Sequence, residues 1–321
     1  MMRTALAAGL VLAALAVPGS AGAASTSGVV DVTTNLAYEN GAAAGTGMTL
    51  TASGEVLTNN HVIRGATTIR VTDPSTGRRY TATVVGYSVA SDVAVLRLAG
   101  ASRLSTVALG DSSSLKVGQR VTAVGNAGGR GGTPSSVSGS VTGLGRTIVA
   151  SDGQGLQEQL VGLIRTDAAI RPGDSGGPLL DAAGRVIGMD TAASAGFFFQ
   201  SSSEGYAIPI NRAVALAKQI VAGRGSATIH IGSTPFLGVR VAPAGSGASV
   251  VSVVSGSPAD RAGIVAGDTI VALDGRLIPS YDALSKLVLR HRAGDTVAVR
   301  WVDQFGTTQS ASVRTAVGPP Q

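Results

Sequence analysis

Apolar and polar positions alternate in short runs through the first half of the chain, and each run stops at a cluster of turn-forming residues. From Val29 to about Ala150 this pattern predicts short β-strands, since successive side chains of a strand face opposite sides. Thr67 to Val71 leads into Asp73-Pro74-Ser75-Thr76-Gly77 and then Tyr80 to Val85, which reads as a hairpin with a longer loop. Gly125 to Gly139 is rich in Gly and Ser and is expected to separate this first block from a second β block running to about Pro209. At Ile210 to Val221 the period changes. Val214, Leu216, Ala217, Ile220 and Val221 have helical spacing, with Asn211 as candidate N-cap.

Ala222-Gly223-Arg224-Gly225-Ser226 reads as a flexible connection, and a compact unit of about 85 residues begins near Pro235. Within it strands are expected around Ser249 to Val254 and Ile270 to Leu273, a short capped helix in Ser257 to Gly263, and a turn into a strand at Gly267-Asp268-Thr269-Ile270. Ser280 to His291 predicts a helix with Leu284, Leu287 and Val288 on one face. Leu287 and Val288 read as packing residues, whereas Leu284 either packs or lines a groove. No tandem repeat is evident.

The first residues follow a different logic. Arg3 gives a positive start, Thr4 to Val17 is an Ala/Leu/Val run, and Ala21-Gly22-Ala23 offers a small-x-small cleavage site. This is the pattern of an export signal cleaved near Ala23, leaving a secreted or cell-envelope chain. The run falls short of the roughly 20 residues that cross a bilayer, so no stable transmembrane anchor is expected. Removing 23 of 321 residues leaves 298, enough for two or three domains.

Composition narrows the chemistry. Charged residues make up 14%, and Gly, Val, Ala and Thr are abundant, which agrees with a mainly β chain. No cysteine is present, so disulfides and thiolate metal sites are excluded despite the oxidising compartment. No metal or cofactor is expected. The net charge of +6 comes from scattered arginines, and aromatics are 3%, against the stacking platforms of nucleic-acid binders. No Walker-type Gly-Lys-Ser/Thr loop occurs, which agrees with independence from ATP.

Nucleophilic acyl transfer needs an exposed hydroxyl, a base, an acid that holds the base, and donors for the oxyanion. Gly173-Asp174-Ser175-Gly176-Gly177-Pro178 places a serine in a turn where flanking glycines let a carbonyl approach the backbone, and the Gly173, Asp174 and Ser175 amides are candidate oxyanion donors. Alone, the hexapeptide also has the composition of an ordinary surface turn. Three histidines exist, His61, His230 and His291, and His61 stands where the apolar run Leu57-Thr58-Asn59-Asn60-His61-Val62 turns polar at a strand end. Asp92 opens the alternating strand Val93 to Leu98; by itself it is no more than a turn aspartate. In chain order, however, His61, Asp92 and Ser175 follow the His…Asp…Ser order of chymotrypsin-type enzymes.

Thr58-Asn59-Asn60-His61-Val62, Ser91-Asp92-Val93-Ala94-Val95-Leu96, Thr166-Asp167-Ala168-Ala169-Ile170 and Gly173-Asp174-Ser175-Gly176-Gly177 resemble the signatures of HtrA/Deg serine proteases, in particular secreted actinobacterial members. The resemblance covers nearly the whole mature chain. It implies a mainly β fold, a chymotrypsin-like double β-barrel protease domain followed by an α+β PDZ domain, with His61 and Asp92 from the first barrel and Ser175 from the second. The corresponding divisions are a signal peptide at 1–23, the trypsin-like domain at 24–221, a linker at 222–234 and the PDZ domain at 235–316. It further implies ATP-independent cleavage of unfolded polypeptides, recognition of C-terminal peptides, and a homotrimer by analogy.

Two departures stand out: many family members carry Asn where this chain has Asp174, and Arg171 replaces a commoner polar residue. No Ile-Val-Gly-Gly-like start is visible, so activation by a new N-terminus is not inferred. Ala169 lies six residues before the serine, where an acidic residue would attract Arg or Lys, which argues against a basic-residue preference. Ala169, Ile170, Ala192 and Ala193 resemble the walls of a small apolar substrate pocket, although Ile170 is equally explained as core. Phe236-Leu237-Gly238-Val239 resembles the carboxylate-binding loop of a PDZ domain. A rival reading is a catalytically silent peptide-binding or chaperone-like protein that acts through the PDZ unit.

Overall fold

The computed structural model describes residues 25–151, 157–191, 198–199 and 204–321. The expected signal segment and the pocket residues Ala192 and Ala193 lie outside them. Six strands form the first unit: β1 (Val29–Leu36), β2 (Gly41–Thr49), β3 (Glu55–Thr58), β4 (Thr68–Asp73), β5 (Arg78–Ser88) and β6 (Val93–Leu98). They pair antiparallel in the order β5-β4-β1-β2-β3-β6, and β6 pairs back onto β5, which closes a barrel. Closure removes the open sheet edges that would otherwise template association. A one-turn helix, α1 (Asn60–Ile63), follows β3.

The second barrel repeats the plan with β7 (Arg120–Gly125), β8 (Ser135–Ser151), β9 (Gln157–Thr166), β10 (Pro178–Leu180), β11 (Val186–Thr191) and β13 (Gly205–Pro209). Their order is β8-β7-β10-β11-β13-β9, closed by β8–β9, with β12 (Phe198–Phe199) added at β8. The Gly/Ser-rich segment is therefore not the inter-barrel connection. Val121, Ala123 and Val124 of β7 are buried and pair with β8 and β10, so the boundary falls earlier, between β6 and β7, and the glycines form a hairpin loop. A stretch rich in Gly and Ser marks a turn, but not which sheet its flanks join.

The helix α2 (Ile210–Val221) locks the barrels together by packing on β5, β6, β11 and β13. Its Ile210, Ala213, Ala217 and Ile220 enter a core shared with Val93 and Val95 of β6, while Ala94, Leu96 and Leu98 fill the first barrel. Strand β6 is thus buried on both faces, which explains an apolar run in place of strict alternation. Asn211 does not cap α2; its amide donates to Asp111 Oδ1 at 2.6 Å and its Oδ1 accepts from Ser112 N at 3.3 Å. The N-cap position falls instead on Pro209, the last residue of β13, which offers no side-chain cap.

The connection after α2 does not hang free. Ile229 is buried, and β14 (His230–Ile231) extends the first sheet at β5. The C-terminal unit then contains β15 (Thr234–Phe236), β16 (Val239–Pro243), β17 (Ala248–Val253), α3 (Pro258–Arg261), β18 (Thr269–Leu273), β19 (Arg276–Leu277), α4 (Tyr281–Val288), β20 (Thr296–Val302), β21 (Thr308–Arg314) and β22 (Ala316–Gly318). Its sheet runs β16-β17-β18-β20-β21, and its own core gathers Leu237, Ile270, Leu273, Leu284, Trp301 and neighbours. Ser257 caps α3, accepting from Asp260 N at 3.2 Å as its position before Pro258 predicts. Leu284 and Val288 are buried, whereas Leu287 is only half-buried.

Because the C-terminal unit has a separate core, damage to the inter-barrel core should be felt locally. Ile220→Ala removes a fully buried side chain and should destabilise the double barrel by about 2–5 kcal/mol. Urea unfolding followed at Trp301, the single tryptophan and a reporter of the C-terminal unit, should move much less than unfolding followed by far-ultraviolet dichroism. Equal shifts in both signals would mean that the units unfold as one.

Candidate active site

The site begins at a backbone irregularity. After the short 3₁₀ turn Val89–Ser91, Asp92 takes φ of 51°, the left-handed conformation that Asp tolerates better than most residues, and its N–H donates to Val89 O at 3.0 Å. This turn aims the carboxylate at α1. Asp92 Oδ1 accepts from the His61 backbone N–H at 3.0 Å, and Oδ2 lies 2.8 Å from His61 Nδ1. Since an ionised carboxylate only accepts, this contact puts the Nδ1 hydrogen between them and leaves Nε2 as the nitrogen facing away from Asp92. Thr191, from β11 of the second barrel, donates a third bond to Oδ2 at 3.1 Å. Asn59 Nδ2 donates to the Asp92 carbonyl at 2.9 Å. Both His61 and Asp92 are buried, at 8% and 2% exposure.

The Ser175 loop, just before β10 of the second barrel, packs on β2 of the first. Its carbonyl accepts from Thr46 N at 2.8 Å, and Thr46 Oγ1 donates to Gly173 O at 2.7 Å while accepting from Asn126 N at 2.9 Å. Thr58 Oγ1 in turn donates to Thr46 O at 2.7 Å, so β2, β3 and the serine loop are stitched through one threonine. The approach is too close for any side chain at the flanking positions. A Cβ on Gly176, at φ of 85°, would stand 2.1 Å from Thr46 O, and one on Gly173, at φ of 99°, would stand 2.1 Å from Asn126 O. Val62, the residue after His61, and the Ser175 carbonyl both crowd the same face of Gly45. The Ser175 backbone and the residue after His61 thus meet over Gly45, where the two barrels join.

Other expected site residues fare differently. The Asp174 amide, one of three expected to serve an oxyanion, donates to Arg171 O at 3.0 Å. Ala169 is exposed; Ile170 is half-buried against the second-barrel core, its Cδ1 filling the space beside Gly205. In the C-terminal unit Leu237 is buried, Gly238 turns at φ of 87° against Ser257, and the Leu237 and Gly238 carbonyls accept from Ala259 N and Val254 N, each at 2.8 Å. Val239 begins β16, an edge strand that neighbours α4, whereas Phe236 lies in β15.

Sequence reasoning missed the groups that hold the site. Thr46 and Thr191 carry no signal beyond their type, and Asn59 was visible only as a motif letter. Asp190 is wholly buried, and neither carboxylate oxygen has a hydrogen-bond partner among the described residues. Its main chain exchanges bonds with Gly176 N and Gly177 O, both at 2.8 Å, directly behind Ser175. Burial pushes the Asp190 carboxyl well above its ordinary range, and the charge of neighbouring Asp174 adds to the effect. Burial also raises Asp174, partly offset by the Arg171 amide and charge.

With this geometry established, the comparisons with known proteins give the class. Residues 45–189 match the trypsin-like peptidase domain and residues 235–314 match the PDZ domain. The chain is thus a trypsin-like peptidase fold carrying one PDZ domain. It is 36% identical to the serine protease PepD of Mycobacterium tuberculosis, over 84% of this chain and 60% of that protein. To the Do-like serine protease HtrB of Bacillus subtilis it is 34% identical, over 76% of this chain and 56% of that protein. Among solved structures, the HtrA-type protease AlgW with a decapeptide superposes with a TM-score of 0.53 at 27% identity, covering 94% of this chain and 98% of that one. Its homologues are the HtrA/Deg serine proteases, and the chain spans about 60% of the length of the relatives it matches. No helix among the described residues is long and apolar enough to cross a membrane.

The buried carboxylate behind Ser175 makes stability depend on pH. A raised folded-state pKa means the folded chain holds that proton more tightly than the unfolded one. The favourable contribution is complete below the ordinary value of 3.8 and is lost as pH rises through the folded-state value. Asp190→Asn should therefore stabilise the protein relative to the parent at about pH 7, with the advantage shrinking toward about pH 4. Urea unfolding across that range measures it; an advantage independent of pH would mean that Asp190 titrates alike in both states.

Proposed function

We propose that this chain is a secreted, ATP-independent serine endopeptidase that cleaves unfolded or damaged proteins through an acyl-enzyme. The observation that carries the reading is the 2.8 Å contact between Asp92 Oδ2 and His61 Nδ1, made beside a serine loop hydrogen-bonded to the neighbouring strand. Ser175 Oγ attacks the scissile carbonyl, His61 Nε2 takes the hydroxyl proton and returns it to the leaving amine, and Asp92 fixes the tautomer and stabilises the imidazolium. The Gly173 and Ser175 amides receive the oxyanion; the Asp174 amide joins only if it leaves Arg171 O.

Specificity follows from the pocket. Ala169 and Ile170, with Ala192 and Ala193, offer no acidic group, which suits a small or aliphatic residue before the scissile bond. The PDZ domain binds C-terminal peptides, with the carboxylate at Phe236-Leu237-Gly238-Val239 and the peptide strand added to the β16 edge. That the HtrA-type protease AlgW is found with a decapeptide supports peptide binding. We place the signal peptide at 1–23, the protease domain at 24–221, the linker at 222–234 and the PDZ domain at 235–316, and expect a homotrimer by analogy with family members.

Unfolded casein should be cut by the mature chain and not by Ser175→Ala, with His61→Ala and Asp92→Asn reduced by about 10⁴-fold. Equal cleavage by the parent and Ser175→Ala would overturn the reading. Chromogenic peptides ending in Val or Ala should be preferred over Arg by at least about 10-fold in kcat/KM; a preference for Arg would refute the pocket assignment.

A further inference from the structure

The helix that carries His61 is a single turn, Asn60–Ile63, too short to be stable by its own hydrogen bonds. It has no side-chain N-cap, because Asn59 is committed to the Asp92 carbonyl. Both of its ends are instead held by Pro320 and Gln321. At its start, Asn60 Nδ2 donates to Gln321 O at 2.9 Å; at its exit, Gly65 N donates to Pro320 O at 2.9 Å. Gln321 N donates to Tyr87 Oη at 3.3 Å, and that phenol lies 3.2 Å from Thr234 Oγ1. Pro320 is buried and Gln321 half-buried, so this is a seated segment and not a loose end.

The segment reaches α1 from the PDZ side. It leaves β22, which pairs antiparallel with β15 with Ala316 opposite Phe236, and Gly318 sits against the Phe236 ring. Phe236 stacks on Tyr38 of the first barrel, with ring centroids 5.3 Å apart and planes at 11°. The ribbon is therefore anchored at both ends, and the three residues beyond it are aimed along α1.

We infer that Pro319–Gln321 is a positioning element for His61, bracketing the helix on which the imidazole stands. This rests on the reading of His61 as general base. Tilting α1 displaces Nε2 from the serine hydroxyl while leaving the substrate groove intact, so loss of the bracket lowers turnover and not binding. The effect operates through the imidazole, so its signature is in the ring signals of His61.

The test compares the full chain, a variant lacking 319–321, and Asn60→Ala, each assayed on an activated ester small enough to bypass the PDZ domain. The truncation should lower kcat by roughly 10- to 100-fold with KM nearly unchanged, and Asn60→Ala should show part of that loss. In spectra of labelled histidine, with His61, His230 and His291 the three signals, the His61 ring shifts should move. His291, 3.2 Å from Asp274 in the PDZ domain, serves as internal reference. Unchanged kcat with an unchanged His61 signal overturns the proposal. If the parent chain shows no Ser175-dependent turnover, the protease reading fails and the His61 signal alone decides the bracket: moved supports it, unmoved overturns it. Should the truncation not fold, Asn60→Ala, which removes one side-chain hydrogen bond, carries the same two outcomes.

Discussion

Everything at the barrel junction depends on the carboxylate of Asp92. It is buried, and a buried charge is tolerated only when its lone pairs are met. The His61 amide, the His61 ring and the Thr191 hydroxyl meet them, from α1 and from the opposite barrel. The same three bonds therefore fix the imidazole, fix the helix beneath it and tie one barrel to the other. The left-handed turn at Asp92 is the local strain that makes this aim possible, and the surrounding bonds hold it there.

The second constraint is close approach. Thr46 serves both barrels at once, donating and accepting toward Gly173, Asn126, Ser175 and Thr58. Its reach is possible only because the loop around Ser175 has no side chains on the contact face. The glycines of that loop are thus packing residues as much as conformational ones, which is why they bracket the serine on both sides. Behind them Asp190 and Asp174 set two raised carboxyls against each other, an arrangement that a pair of amides would satisfy without any charge.

Much of this was legible in the chain. Alternating runs mark the strands, the change of period marks α2, and the order of His61, Asp92 and Ser175 marks the candidate site, because each is a pattern with a physical cause. What failed was long-range partnership. The Gly125 to Gly139 stretch has the composition of a boundary, but composition marks a turn and carries no record of pairing across the sheet. Asn211 has the right type and place for a cap, yet Asp111 and Ser112 compete for it successfully from a loop far away in sequence. Thr46, Thr191 and Asp190 have no periodic or spacing signature; only the closed barrels bring them to the serine.

The linker teaches the same point about domains. Read as a flexible tether, it would leave the PDZ domain free to move without consequence for the barrels. Instead β14 extends the first sheet, and Tyr87, 1% exposed, sits beneath it with His230 tilted against its ring at 5.2 Å. A buried phenol must find hydrogen-bond partners, and here they are Thr234 from the PDZ entrance and the Gln321 amide from its exit. Lifting the PDZ domain away strips that hydroxyl of both contacts at once. The first barrel, the linker and the tail thus share one desolvated group, and it lies on the strand that pairs directly with the one Asp92 opens.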